Sequence, residues 1–353
     1  MAFTGINKST DYFNNKKYSG TGSTQSITGV GFQPDWSWIK NASSGSNYSH
    51  TLTDAARGVT KKIATNNTNA EYTSTTELTS FDSDGFTVGA DVGVNSNGST
   101  LISWNWKANG QGSSDTNGTI NSTYTSANTT SGFSIITYTG DGNSGATIGH
   151  GLGVVPKIVL IKKLNGADAW FMTGENLGWN KYVNLNSSSA ESGASNNSFT
   201  GTAPTTTVFS VGSDSGVNGN GDTYVAYVFA EKQGFCKIGT YVGNGSTNGP
   251  FHYTGFKPAW LLTKKLTGAT ESWFLNDNTR SLSGGFNTNY YYILPDDNAA
   301  QGTSSSLSID LLSNGVKIKN NDTAYNNNNS TYLYIAYAAA PIVGTNNIPA
   351  NAF

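Results

Sequence analysis

Charge is scarce in this chain. Only 12% of its residues are Asp, Glu, Lys or Arg, and just two, Arg57 and Arg280, are arginines. With a formal net charge of −2 there is no basic footprint to neutralise phosphates, which excludes the usual nucleic-acid binders. Cys236 is the one cysteine, so no intrachain disulfide can form. No apolar run approaches the ~20 residues of a membrane-spanning helix, and membrane insertion is not expected. The opening stretch MAFTGINKSTDYFNNKK lacks the apolar core of a signal peptide, so Sec secretion is not expected either. Apolar residues at helical spacing are missing over any long stretch. One short helix is expected, over Asp54 to Ile63.

What the chain does have is glycine, Ser, Thr, Asn and aromatics, arranged as short apolar runs between turn residues. This predicts an all-β protein of sandwich or barrel type. Three Asn-rich stretches, VNSNGST, VNGNGDT and NNNNST, end at Thr100, Thr223 and Thr331, each before an alternating apolar run. Each is read as a hydrated turn leading into a hairpin strand. The same spacing recurs upstream. Tyr18, Tyr138 and Tyr241 open three Y-x-G-x-G motifs, and Lys40, Lys162 and Lys264 each lie six residues after a proline. Pro156 and Pro258 are 102 residues apart, and Pro34 and Pro156 are 122 apart. The chain is therefore read as three tandem antiparallel β-sandwich domains, lectin-like or jelly-roll-like, each of a size that can hold its own core. Their boundaries are 1–108, 133–232 and 233–340. A Ser/Thr/Asn/Gly-rich linker, 109–132, has almost nothing to bury, and 341–353 is a tail.

Catalytic chemistry is hard to place. The motifs HExxH, CxxC, G-x-S-x-G and the Walker loop are absent, and no acid pair stands out. His150 and His252 both stand six residues before a proline and are read as shared scaffold; His50 is read as a packed strand position. Cys236 is matched with Ser134 as an inert strand residue. Asp54/Arg57 and Asp277/Arg280 are read as local ion pairs. The turn Asp82–Gly85 lacks the further oxygens of a calcium loop. No catalytic residue, cofactor or metal is assigned. Trp36, Trp38, Trp104 and Trp106 alternate at period two and are read as core. Trp179, Tyr290, Tyr291 and Tyr292 have no counterpart in the other copies and are the candidate binding residues, since exposed aromatics stack on sugars or fill protein interfaces. The three lysines are expected to lay their stems on the core edge with the ammonium in water. Partner contacts are expected where the copies diverge: Ser43 to Tyr48, Trp179 to Ala194 and Phe286 to Ser305.

The segments TDYFNNKKYSGTGSTQSITGVGFQPDWSWIK, TDAARGVTKKI, SFDSDGFTVG and VNSNGSTLISWNWKANG resemble the repeat domains of tail-fibre-like virion structural proteins of marine bacteriophages, those of cyanobacteria and Pelagibacter-type hosts. The ending APIVGTNNIPANAF is similar to theirs. The resemblance implies a virion component made in the host cytoplasm, with lectin-like domains and no catalytic residues. It implies host adhesion as a tail-fibre component or, alternatively, decoration of head or tail; a glycan-degrading enzyme is the remote third reading. The implied partners are other virion proteins and a host surface glycan or protein receptor, and a homo-oligomer, with a trimer favoured, is expected.

Overall fold

The structure, a computed structural model, describes residues 4–43, 45, 47–194, 197–280, 287–343 and 345–346. Most of the 341–353 tail, the start of the Phe286 to Ser305 segment and positions 44 and 46 lie outside the described residues. The chain is all-β, with antiparallel sheets and, among the described residues, three α-helices of four residues each. None of these helices is long and apolar enough to cross a membrane.

One strand order recurs. Phe13–Ser19, Thr100–Trp106, Trp36–Asn41 and Thr51–Asp54 lie side by side in that order. Phe133–Thr139, Thr223–Phe229, Ile158–Lys163 and Trp170–Gly174 do the same, as do Cys236–Val242, Thr331–Pro341, Phe256–Lys265 and Phe274–Asp277. A smaller sheet covers one face of each set. It is built on Gln25–Thr28, Thr147–Gly149 and Phe251–Tyr253 respectively.

Strand alternation then decides where side chains go. Along the strand that follows each Asn-rich turn, Leu101, Tyr224, Ala226, Val228, Tyr332, Tyr334 and Ala336 face the smaller sheets and form three separate cores. The alternate residues turn the other way. Ile102, Trp104 and Trp106 meet Val225, Tyr227 and Phe229, and Leu333, Ile335 and Tyr337, in a fourth core that no single copy could build. Trp36 sits 4.3 Å from Trp106 and 4.5 Å from Tyr227 between ring centroids, so rings from two copies interleave there. Phe13 stacks on Tyr337 at 4.8 Å, joining the first copy to the third. The sequence reading anticipated a core in each copy, not this shared one.

Three further expectations are corrected. The 109–132 stretch is more than a linker: Tyr124–Asn128 pairs with Phe133–Thr139 as an edge strand, and Ile120 is buried. The expected helix over Asp54 to Ile63 is instead a strand end, a turn and the two-residue strand Lys61–Lys62. There the Asp54 carboxylate accepts from Arg57 N at 2.8 Å, which closes the turn after three residues. The Asn-rich turns are not simply hydrated loops. Their first asparagines, Asn95, Asn218 and Asn326, are fully buried at the ends of the three short helices, which are N-capped by Asp91, Asp214 and Asp322. Asn95 Nδ2 donates to Ser23 O and Gly89 O at 2.6 and 2.7 Å, and its Oδ1 accepts from Thr21 N at 2.9 Å. Asn218 and Asn326 hold the Y-x-G-x-G loops of their own copies in the same way. The first glycine of each motif is dictated by this fit. A Cβ on Gly20, Gly140 or Gly243 would stand 2.0, 2.4 or 2.3 Å from a backbone oxygen of the facing turn.

Candidate functional site

The groups that carry chemistry converge on the seams between copies. Lys40, Lys162 and Lys264 are fully buried, not at the water's edge as expected. Each ammonium donates to backbone carbonyls of its own copy and of one other. Lys40 Nζ reaches Tyr48 O at 2.6 Å and Asn298 O at 2.9 Å. Lys162 Nζ reaches Asp168 O and, across the seam, Thr68 O, at 3.1 and 3.2 Å. Lys264 Nζ bonds Glu271 O and, across the seam, Ser188 O at 2.9 Å. Burial pulls all three ammoniums down to about 8, so they remain charged at neutral pH. The contacts run cyclically: first copy to third, second to first, third to second.

The residue paired with each lysine repeats the cycle. Trp170 Nε1 donates to Ala64 O at 2.8 Å, and Trp273 Nε1 donates to Asn184 O at 2.9 Å. His50 holds the matching place in the first copy. Its Nδ1 accepts from Trp38 Nε1 at 2.8 Å, which leaves Nε2–H to donate to Leu294 O at 3.0 Å. The two Asp/Arg pairs are seam clamps rather than local pairs alone. Asp54 Oδ2 takes Arg57 Nε at 2.6 Å and the Tyr227 hydroxyl at 2.7 Å from the second copy. Asp277 Oδ2 takes Arg280 Nε at 2.6 Å and Trp104 Nε1 at 3.2 Å from the first. The strand position that matches Tyr227 and Trp104 is Ile335 in the third copy, and Gly174 stands where the second copy would need its aspartate. An apolar residue in that place asks for no carboxylate, which explains why the second copy lacks the pair.

Two sequence alignments shift once the ladders are read. Cys236 pairs with Tyr337 as Phe133 pairs with Phe229, so it matches Phe133 and not Ser134. Its buried thiol is pushed up to about 12, which keeps it neutral and unreactive. His252 pairs with Val316 as Ile148 pairs with Phe209 and Ile27 with Phe86, so it stands in an aliphatic position and does not correspond to His150. His150 is satisfied by Thr205 O at 3.2 Å and Leu152 N at 3.2 Å. His252 lies between Tyr241, on which it stacks at 4.7 Å, and the tilted ring of Tyr334 at 4.5 Å, and neither ring nitrogen has a hydrogen-bond partner. Burial lowers it to about 3. Because the unfolded histidine titrates near 6.5, the unfolded chain binds the extra proton as pH falls below 6.5. The stability contributed by a neutral His252 is therefore present above pH 6.5 and is lost toward pH 3. His252→Ile is expected to raise stability at pH 7 by ~1–3 kcal/mol by removing unsatisfied polar atoms. It should also flatten the acid limb by up to ~1.4 kcal/mol per pH unit relative to the parent. Urea unfolding at pH 4, 5, 6 and 7 measures both; a variant less stable than the parent at every pH contradicts the assignment.

The four candidate aromatics are not brought together. Trp179 packs partly buried on the core of the second copy, while Tyr292 packs on that of the third, 5.3 Å from Phe274. Tyr291 and Tyr292 form a two-stranded pairing with Gly302–Thr303, and Tyr291 O accepts from Asn276 Nδ2 at 2.9 Å. All four are only partly exposed. Much of the divergent sequence serves the seams as well: Tyr48, Ser188 and Asn298 supply lysine ligands, and Gln301 N donates to Ala42 O at 3.3 Å.

The aromatic side chains that do face water are elsewhere, Tyr72 in the first copy and a pair in the third. Phe251 and Tyr253, 44% and 55% exposed, flank His252 on an edge strand and point away from the core that it enters. The matching positions are Ser26 and Thr28 in the first copy and Thr147 and Gly149 in the second. Alignment on His150 hid this change; alignment on Ile148 shows it. Beside Tyr253 lies a cleft of about 390 Å³, where the chain passes from the second copy to the third. Glu231, Gln233, Lys237 and Gly255 line it. Glu231 accepts from Ile238 N at 2.9 Å and pairs with Lys237 at 3.0 Å. Among the described residues no group of three His, Cys, Asp or Glu side chains could hold a metal ion.

Residues 8–341 match a family described as Domain of unknown function (DUF7483). The chain belongs to this family. No curated protein and no solved structure matches it. The DUF7483 match spans all three strand sets and the residues that line the cleft.

Proposed function

We propose that the chain is a non-enzymatic virion structural protein, exposed on the particle and serving in host attachment as a tail-fibre component. In this reading it consists of three β-sandwich units related by internal repeat. One observation carries it: the side chains with the greatest chemical capability are engaged in cohesion. His50, the two Asp/Arg clamps and the three buried lysines all bind one copy to another. The water-facing surface meanwhile carries many neutral polar groups, an aromatic edge and a few exposed ion pairs such as Lys8–Asp11 and Lys157–Glu175. Such a body suits a particle in salt water, where exposed charge pairs are screened. Decoration of head or tail, with contacts to virion proteins alone, is the second reading. It is favoured by the edge position of Phe251–Tyr253, whose free side could accept a partner strand.

Labelled protein incubated with host cells tests the choice. Attachment predicts saturable binding and competition with phage adsorption, without release of reducing sugar from host polysaccharide. Binding to particles that lack the protein, with none to cells, would select decoration. Sugar release abolished by a single Asp or Glu substitution would overturn the non-enzymatic reading.

A further inference from the structure

We infer that the cleft between Glu231, Lys237 and Tyr253 is a saccharide subsite that takes an uncharged hexose unit. This rests on the attachment reading only for its biological use; the chemistry is argued from the cleft.

Three features converge. The first is the aromatic wall. Tyr253 is 55% exposed, yet its ring is placed: a Cβ on Gly255 would stand 3.5 Å from its hydroxyl and 3.6 Å from its ring edge. Gly255 has a φ of +82°, a conformation that lets the backbone turn beneath the ring. A ring with its hydroxyl and one edge near the Gly255 turn and the rest largely open to water offers a platform for the C–H face of a sugar. The second is the polar floor. Glu231 and Lys237 neutralise each other at 3.0 Å, so the cleft presents carboxylate and ammonium hydrogen-bonding sites without net charge. Gln233, exposed at the rim, adds a carboxamide with both donor and acceptor. Vicinal hydroxyls, each donor and acceptor at once, suit this set. An anionic ligand would have to draw Lys237 from its partner, and an apolar ligand would leave the ion pair desolvated. The third is size. At about 390 Å³ the cleft falls at the small end of ligand pockets, suited to one or two rings of a longer chain.

The test is titration calorimetry on the full chain with neutral gluco-, galacto- and manno-oligosaccharides and a uronate oligosaccharide of equal length. At least one neutral probe is expected to bind. Tyr253→Ala should weaken that binding tenfold or more and Gln233→Ala severalfold. Val155→Ser, at an exposed site in another loop, should leave it unchanged. Circular dichroism melts check that the variants remain folded, as substitutions at exposed positions should. Failure of every neutral probe, preference for the uronate, or equal binding by Tyr253→Ala overturns the assignment. Cell binding separates the two claims. If Tyr253→Ala loses hexose binding yet binds host cells as well as the parent does, attachment and the subsite both stand and the subsite is not what holds the cell. Hexose binding lost in Tyr253→Ala, by a parent that does not bind cells, leaves the subsite standing without attachment.

Discussion

Trp36→Ala is expected to destabilise the whole chain by ~3–5 kcal/mol, the usual range for emptying a buried aromatic site. Trp36 touches Trp38 and Trp106 of its own copy and Phe133, Tyr227 and Phe229 of the second. The loss should therefore register in every part of the molecule at once. Trp36→Phe is the discriminating control. The indole N–H of Trp36 has no hydrogen-bond partner, so replacing it with a phenyl ring sacrifices volume alone. It should cost about half as much or less. Urea unfolding followed by tyrosine fluorescence and by far-UV circular dichroism measures both. Loss of signal from the first copy with the third left folded would contradict the shared core.

Arg280→Ala carries the second large effect, again ~3–5 kcal/mol, because it leaves the Asp277 carboxylate buried without its counter-charge. Asp277 is fully buried, and its remaining Oδ2 partner is Trp104 Nε1 at 3.2 Å. Arg280 also gives NH2 to Leu275 O at 3.2 Å, a bond lost with the same substitution, while Leu275 O keeps the Ile293 N–H at 3.0 Å. The paired replacement Asp277→Leu/Arg280→Leu should cost less than Arg280→Ala alone, since no isolated charge is left behind. Chemical denaturation of the parent and both variants supplies the comparison. A single variant within ~1 kcal/mol of the parent would show that the clamp is solvated and not a seam element.

Much of the fold was legible in the sequence because its signals are local. Tyrosine, glycine and asparagine recur at fixed spacing, and the structure shows why. The tyrosine hydroxyls of Tyr18, Tyr138 and Tyr241 each bond a carbonyl of the facing helix, at 2.7, 2.6 and 2.9 Å. Period-two alternation correctly placed Trp36, Trp38, Trp104 and Trp106 in a core. What alternation cannot tell is which neighbour covers a face. The second apolar face of each main strand was taken as part of its own copy, whereas it meets the other two. The lysines were misjudged for the same reason. Lysine after an apolar strand usually reaches water, and carbonyls of its own copy and of another together make its burial tolerable. The open cleft was missed because matching His252 to His150 displaced the alignment by two residues. That hid the change from Ser26 and Thr28 to Phe251 and Tyr253.

Differential scanning calorimetry of the intact chain tests the central claim, that the three copies are closed around one core. The account predicts a single transition whose van't Hoff enthalpy equals its calorimetric enthalpy, ~250 kcal/mol at ~0.7 kcal/mol per residue. Two or three transitions, each with a van't Hoff enthalpy near ~70 kcal/mol as for an independent domain of ~100 residues, would contradict it.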